Sequence, residues 1–159
     1  MLHDPAIGMR AFHVSPNSLI AFDYTPSLAK FELSISQTCS QSGGQALELR
    51  PFERDIPIIG ETMSMVAIGM LPTSLAVGGL ELPTVGPTPF GCGCTIGLSG
   101  TNTVGVLLTG TGNTRQWSFS IPNDPSLSGL QLDAQAIIVE PTIGCWLSTT
   151  QRGTLTLGL

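Results

Sequence analysis

Histidine, the usual general base of nucleophilic catalysis, occurs only as His3 and His13. Both lie in the first 24 residues, ahead of the regular pattern that fills the rest of the chain. A serine or cysteine nucleophile needs such a base fixed within hydrogen-bond reach. Neither a Gly-x-Ser-x-Gly elbow nor a phosphate-binding glycine loop occurs. These residues predict that the chain is not an enzyme.

Carboxylates are the other groups that could do chemistry, as an acid–base pair or as calcium ligands. The candidates are Glu61, Glu81, Asp124, Asp133 and Glu140. Their spacing selects no pair, because residues far apart in sequence can meet in a β-sandwich. Asn123, Asp124 and the later Asp133 lack the closely spaced oxygen ligands of a calcium loop. We therefore expect turn capping near Asp124 and predict neither a metal site nor a cofactor.

Four cysteines, Cys39, Cys92, Cys94 and Cys145, could form disulfides or bind zinc. A bond between Cys92 and Cys94 would be strained, so we expect each of them to pair with Cys39 or Cys145, in either combination. The Cys-Gly-Cys spacing is too short for a usual zinc site, and no second close pair occurs. Disulfides are therefore favoured, and they predict a secreted or cell-surface protein.

Aromatic side chains could form a platform for sugar binding, and the candidates are Tyr24, Trp117 and Trp146. Trp117 alternates with Phe119 and Ile121 in a strand-like segment, so we expect it in the core. Trp146 follows Cys145, where packing against a disulfide is the simpler expectation. A ligand platform at Trp146 is the alternative.

Charge is scarce in this chain: Asp, Glu, Lys and Arg make up 11% of the residues, against about 25% in ordinary soluble domains. The net charge is −5, and Lys30 is the single lysine. Arg50 and Arg54 are offset by Glu53 and Asp55, so no basic patch exists and nucleic acid is excluded as a partner. A neutral polar surface repels copies of itself only weakly and suits self-association.

Glycine and proline punctuate the chain at intervals typical of a sandwich or barrel, and no segment has helical spacing of apolar residues. The fold class predicted is all-β, an antiparallel β-sandwich of jelly-roll or Ig-like type with about eight short strands. Alternating apolar residues place these strands at residues 29–36, 46–50, 62–69, 75–77, 103–109, 114–121, 131–139 and 153–157. Gly110 to Asn113 is expected to close a hairpin between two of them.

Residues 1–24 are expected to form an N-terminal arm, and residues 25–159 a single sandwich domain. The apolar residues of the arm have no obvious partner strand: Phe12, Val14, Leu19, Ile20 and Phe22. The arm either packs on its own domain or reaches a neighbouring molecule and completes a sheet edge there. The first 14 residues lack the features of a signal peptide, and no apolar run is long enough for a transmembrane segment. If a signal peptide once preceded the chain, we expect that it has been removed.

The segment Phe119 to Ala136 reads Phe-Ser-Ile-Pro-Asn-Asp-Pro-Ser-Leu-Ser-Gly-Leu-Gln-Leu-Asp-Ala-Gln-Ala. It resembles the C-terminal β-sandwich modules of large secreted proteins from planctomycetes and similar environmental bacteria. The likeness continues through Ile137 to Pro141 and the closing strands, over about residues 39–159. Asp133 departs from the bulky residue usual there. The resemblance implies a secreted β-sandwich, and no catalytic residue can be carried over from it.

Together these features predict a non-catalytic extracellular structural protein. It would self-associate, as in a fibre or surface layer, through sheet edges and the arm, so that its partners are copies of itself. The alternative is a binding module for polysaccharide or a cell-surface partner.

Overall fold

The computed structural model describes residues 8–12, 21–25, 29–34, 47–53, 55–83, 88–90, 94–140 and 146–159. Within them lie thirteen β-strands and one short 3₁₀ helix, Pro125–Leu127. The strands are β1 (Gly8–Phe12), β2 (Ala21–Thr25), β3 (Lys30–Ser34), β4 (Glu48–Pro51), β5 (Thr62–Ile68), β6 (Leu75–Glu81), β7 (Thr88–Phe90), β8 (Cys94–Ile96), β9 (Val104–Leu107), β10 (Thr114–Ser120), β11 (Gln131–Val139), β12 (Leu147–Thr149) and β13 (Arg152–Thr156).

Two antiparallel sheets enclose the core. The large sheet has the strand order β3-β13-β11-β6-β9, with β12 also paired to β11, and the small sheet has the order β10-β5-β4. Alternate residues of the facing strands are buried between them, such as Ile138 and Leu155 from the large sheet and Met63, Met65 and Trp117 from the small one. This arrangement confirms the predicted all-β sandwich.

All eight predicted strands are present. The segment predicted at 131–139 has the bounds of β11, and the other seven differ by a few residues at their ends. Trp117 is buried as expected, because it belongs to the inward set of β10. The hairpin expected at Gly110 to Asn113 needs correction: the turn exists, but β9 pairs with β6 while β10 pairs with β5. A single bridge, Thr109 to Gln116, joins the two sides, so this turn crosses from one sheet to the other.

The Ile-Pro-Asn-Asp-Pro segment makes a second crossing between the sheets. Ile121 is buried in the core and its N–H donates to the Glu61 carbonyl at 2.8 Å. Asp124 caps the 3₁₀ helix, as expected for a turn residue, and the N–H of Gly129 donates to the Leu157 carbonyl at 2.8 Å. The motif is thus a connection that fixes β10 relative to β11.

A bulge divides the strand that runs beside β11. Ile137 pairs with Thr149 and Ala134 with Gly153, so three residues of the outer strand lie opposite two of β11. Thr150 occupies the bulge: its Oγ1 accepts the N–H of Ala136 and its own N–H donates to the Ala136 carbonyl, both at 2.9 Å. The hydroxyl therefore replaces the ladder bond that the bulge removes.

Gly153 lets the ring of Phe31 lie directly on the backbone of β13. A Cβ at this position would come within 2.3 Å of the ring. The glycine is therefore required by the close approach of a buried aromatic side chain.

Candidate association surface

The arm residues are only partly within the described chain. Phe12 ends β1 and Phe22 lies in β2, and these strands pair with each other as an antiparallel two-stranded sheet. Val14, Leu19 and Ile20 lie outside the described residues. Within the described chain, the arm forms its own strand pair beside the two core sheets.

Cys94 is the one cysteine of the four that the described residues include, and it lies at the start of β8. It is almost fully buried, and the described residues contain no free cysteine. Its sulfur lies 3.7 Å from the carbonyl oxygen of Leu147, where β8 packs beside β12. Cys39, Cys92 and Cys145 lie outside the described residues, so the pairing stays a prediction.

Trp146 is 58% exposed, next to the start of β12. Its carbonyl oxygen accepts the N–H of Glu140 at 2.8 Å, which fixes the backbone around the indole. This exposure leaves the indole open to solvent, as a ligand platform would require.

The structure brings one pair of the candidate carboxylates together. Glu81 of β6 and Asp133 of β11 are direct cross-strand partners on the outer face of the large sheet, and both are buried. Glu81 accepts hydrogen bonds from Ser99 and Thr103 in the segment that covers this face. Asp133 accepts from the hydroxyl of Thr154 at 2.7 Å.

The chemistry of this pair is that of a structural anchor. Arg152 also approaches Asp133, with Nη1 and Oδ2 3.4 Å apart. The oxygen atoms of both carboxylates therefore meet protein donors in a buried setting, and the Glu81 carboxylate attaches the covering segment to the sheet.

Glu140 and Arg115 make hydrogen bonds to the turn that precedes β6. Glu140 Oε1 accepts the hydroxyl of Ser74 at 3.0 Å, while Oε2 has no partner among the described residues. The Arg115 guanidinium donates to the carbonyls of Pro72 and Ser74, at 2.7 and 3.1 Å, and also to those of two residues in the 112–114 turn. Ser74 thus links a buried cation to a buried anion.

Strand β9 forms an edge of the large sheet, and all four of its residues are exposed. The Leu108 N–H donates to the Ala76 carbonyl at 2.9 Å, which sets the register of alternate bonds toward β6. Residues 104 and 106 therefore bond to β6, whereas the N–H and C=O groups of Gly105 and Leu107 point away from the sheet. No described strand pairs with that outer side.

This edge differs from the other strands that end the two core sheets. Within the described chain, β3 carries Lys30 and Glu32, β4 carries Glu48, Arg50 and a proline, and β10 carries a buried arginine. Charges and proline are the common means of preventing edge-to-edge pairing. In β9, shortness is the only such protection, and the sequence has no charged residue between Glu81 and Arg115.

Apolar side chains continue from β9 across the outer face of the large sheet. Leu107 is 61% exposed and lies opposite Val77, which in turn lies opposite Ile137. Leu75, also exposed, lies opposite Val139 in the neighbouring row. Because direct cross-strand partners share a face, these residues form one apolar stripe that reaches the free edge.

In the part of the chain that the structure describes, the fold and this surface define an all-β sandwich in which the β9 edge is uncharged and unpaired and adjoins an apolar stripe. No protein-family model, curated protein or solved structure matches the chain. Among the described residues, no helix has the length and apolar character needed to cross a membrane. The same residues contain no cluster of three or more His, Cys, Asp or Glu side chains.

Proposed function

We propose that this chain is a non-catalytic extracellular structural protein that self-associates through β9. The observation that carries the proposal is the free side of that strand. Gly105 and Leu107 direct backbone donors and acceptors outward, no described charge opposes a second copy, and the flanking side chains are exposed and apolar. Antiparallel pairing of β9 with β9 of a second copy would satisfy those groups in both molecules.

Such a contact is self-complementary, so by itself it closes as a two-fold dimer. A fibre or surface layer needs a second kind of contact. We assign that contact to the arm, residues 1–24, which includes β1 and all of β2 except Thr25, a strand pair outside both core sheets. In this proposal Phe12, Phe22 and the other apolar arm residues bind a neighbouring copy.

The edge is tested by Leu107→Lys, which places a cation on each of two strands that would meet. Gly105→Pro tests it independently, because proline removes an N–H that points away from β6 and leaves the bonds within the sheet intact. Leu159→Lys is the matched control, since Leu159 is 64% exposed and lies outside β9. Light scattering across a concentration series should show that both β9 variants form smaller assemblies than the unaltered chain, while the control assembles as the unaltered chain does.

Deletion of residues 1–24 tests the arm. Electron microscopy should show fibres or layers for the full chain, and light scattering should show dimers after deletion. Adding Leu107→Lys to the deletion should leave monomers. The proposal is contradicted if both the full chain and the chain without residues 1–24 stay monomeric at every concentration.

The extracellular setting is supported by Cys94, which is buried and is not a free cysteine, and it is what the expected resemblance of residues 119–136 to secreted modules would imply. We propose that Cys94 pairs with Cys39 or Cys145 in the mature protein. Mass mapping of peptides under non-reducing conditions should find one of these two cystines. Alkylation of Cys94 without reduction would contradict this assignment.

A second candidate function is a binding module for polysaccharide or a cell-surface partner, and the exposed indole of Trp146 favours it. If the indole of Trp146 is the platform, Trp146→Ala weakens a pull-down on insoluble polysaccharide without changing the oligomeric state, whereas unchanged binding in this variant would exclude Trp146 as the platform. A loss of oligomers in this variant would instead place Trp146 in the association surface.

A further inference from the structure

A groove of about 360 Å³ lies on the outer face of the small sheet, away from the core. Val66 and Ile68 of β5 form its floor, β4 and the turn after it form one wall, and Thr114 and Gln116 of β10 form the other. A volume of this size falls in the range of small-molecule sites in proteins.

Two polar side chains flank the floor. Arg50 and Gln116 are both in register with Val66, one on each neighbouring strand, so their Cα atoms are about 10 Å apart across the sheet. Both side chains are exposed, and among the described residues neither the guanidinium nor the side-chain amide has a hydrogen-bond or ion-pair partner. Donors and an acceptor are therefore available on both sides of an apolar floor.

The turn after β4 supplies an aromatic ring and a carboxylate. Phe52 is 38% exposed and Glu53 has φ 54°, which makes it the one non-glycine residue with positive φ in the described chain. The turn is held by the Asp55 carboxylate, which accepts the N–H of Ser64 at 2.8 Å, and by the Phe52 N–H, which donates to the Ser64 carbonyl at 2.9 Å. Backbone in this unfavourable region is concentrated at ligand sites in proteins.

We infer that this groove binds an uncharged saccharide. Guanidinium, amide and carboxylate groups can each make two hydrogen bonds to neighbouring hydroxyls, and the Phe52 ring can pack against the C–H face of a sugar. Among the described residues of the lining, the charges of Arg50 and Glu53 offset each other, which disfavours phosphates and other anions. The polar walls and their unpaired donors disfavour a purely apolar ligand.

This site is independent of self-association, because the groove lies on the small sheet and β9 ends the large one. It is also separate from Trp146, which does not line it. Saccharide binding is thereby assigned to residues for which the sequence alone predicted no site.

The test is binding of the full chain to a panel of neutral oligosaccharides by calorimetry, with pull-downs on cellulose, chitin, xylan and starch. At least one neutral saccharide should bind, and Phe52→Ala and Gln116→Ala should each weaken it by about tenfold. Trp146→Ala is the control for an exposed aromatic outside the groove and should bind as the unaltered chain does. Circular dichroism should show unchanged strand content in all three variants.

Leu107→Lys separates this inference from the proposed self-association, since it should abolish association through β9 and retain saccharide binding. Three results would overturn the inference: no neutral saccharide bound, binding confined to acidic polysaccharides, or affinity lost in Trp146→Ala but kept in Phe52→Ala.

Discussion

The carboxylate of Asp124 makes the stability of its turn depend on pH. Its Oδ1 accepts the N–H of Ser126 at 2.9 Å, and the hydrogen bonds with Ser126 hold the pKa of the carboxyl below its ordinary value of 3.8. Because the pKa is lower in the folded chain, the stabilisation is present above the ordinary value and is lost as pH falls through the folded value.

We expect Asp124→Asn to remove part of the loss in melting temperature between about pH 6 and pH 3, since asparagine caps without titrating. At neutral pH, Asp124→Ala should lower the melting temperature because the cap is lost. Asp124→Asn should keep most of the stabilisation that the cap provides at that pH. Differential scanning calorimetry across this pH range measures both effects. If the melting temperatures of the unaltered chain and of Asp124→Asn fall equally as the pH is lowered, the Asp124 carboxylate does not contribute to the acid sensitivity.

Among the described cations, Arg115 is the residue whose substitution should lower the free energy of unfolding most. Its guanidinium donates to four backbone carbonyls in two turns, in a setting that is largely buried. Arg115→Met should lower the free energy of unfolding by about 3 kcal/mol, because methionine fills similar space and donates nothing. Lys30→Met is the control and should cost less than about 1 kcal/mol, since the Lys30–Glu32 pair is partly exposed. Equal costs in urea unfolding would contradict this assignment.

At the scale of elements, the bulge beside β11 offers a matched pair of substitutions. Thr150→Val keeps the shape of the side chain but leaves the buried N–H of Ala136 without its acceptor, which should cost about 1–3 kcal/mol. The Thr156 hydroxyl is buried without a described partner, so Thr156→Val should be neutral or stabilising. Urea unfolding of both variants measures the difference, and the reverse order would mean that the bulge is not held by its hydroxyl.

Period-two alternation was sufficient to predict the eight strands that follow one another in the strand orders of the two core sheets. It missed β7, β8 and β12 because three-residue strands carry too little pattern, and it missed β1 and β2 because their apolar residues had no evident partner strand. The hairpin expected at Gly110 to Asn113 is formed only as far as the Thr109–Gln116 bridge, because a turn motif specifies a reversal of the chain but not which sheet each flanking strand joins. Strand pairing depends on contacts between distant segments, and one sequence does not display them.

The same limit applies to the candidate sites. The sequence showed that residues 82–114 lack charge, but only the strand order shows that this stretch includes an unpaired edge. Arg50 and Gln116 are far apart in sequence and face each other only because both pair beside Val66. Trp146 could be singled out in advance because it is one of only two tryptophans, a signal that needs no topology.

For the whole molecule, the low charge density decides how association should respond to salt. Each copy carries a net charge of −5, while β9 and the adjoining stripe carry none in the described chain. Salt should therefore screen a weak repulsion between copies and leave the contact itself unaffected. Sulfate should additionally strengthen the burial of the apolar stripe, because it is excluded from protein surfaces.

We accordingly expect the Kd of self-association to stay constant or to tighten as NaCl rises from about 0.05 to 0.5 M, and to tighten further in sodium sulfate of equal ionic strength. Sedimentation velocity at several protein concentrations gives these constants, and Leu159→Lys serves as a charge-altered control with an intact edge. A contact made by opposite charges, such as those at β3 or β4, would weaken steeply over the same range. Weakening of about tenfold would therefore place the interface at a charged edge and not at β9.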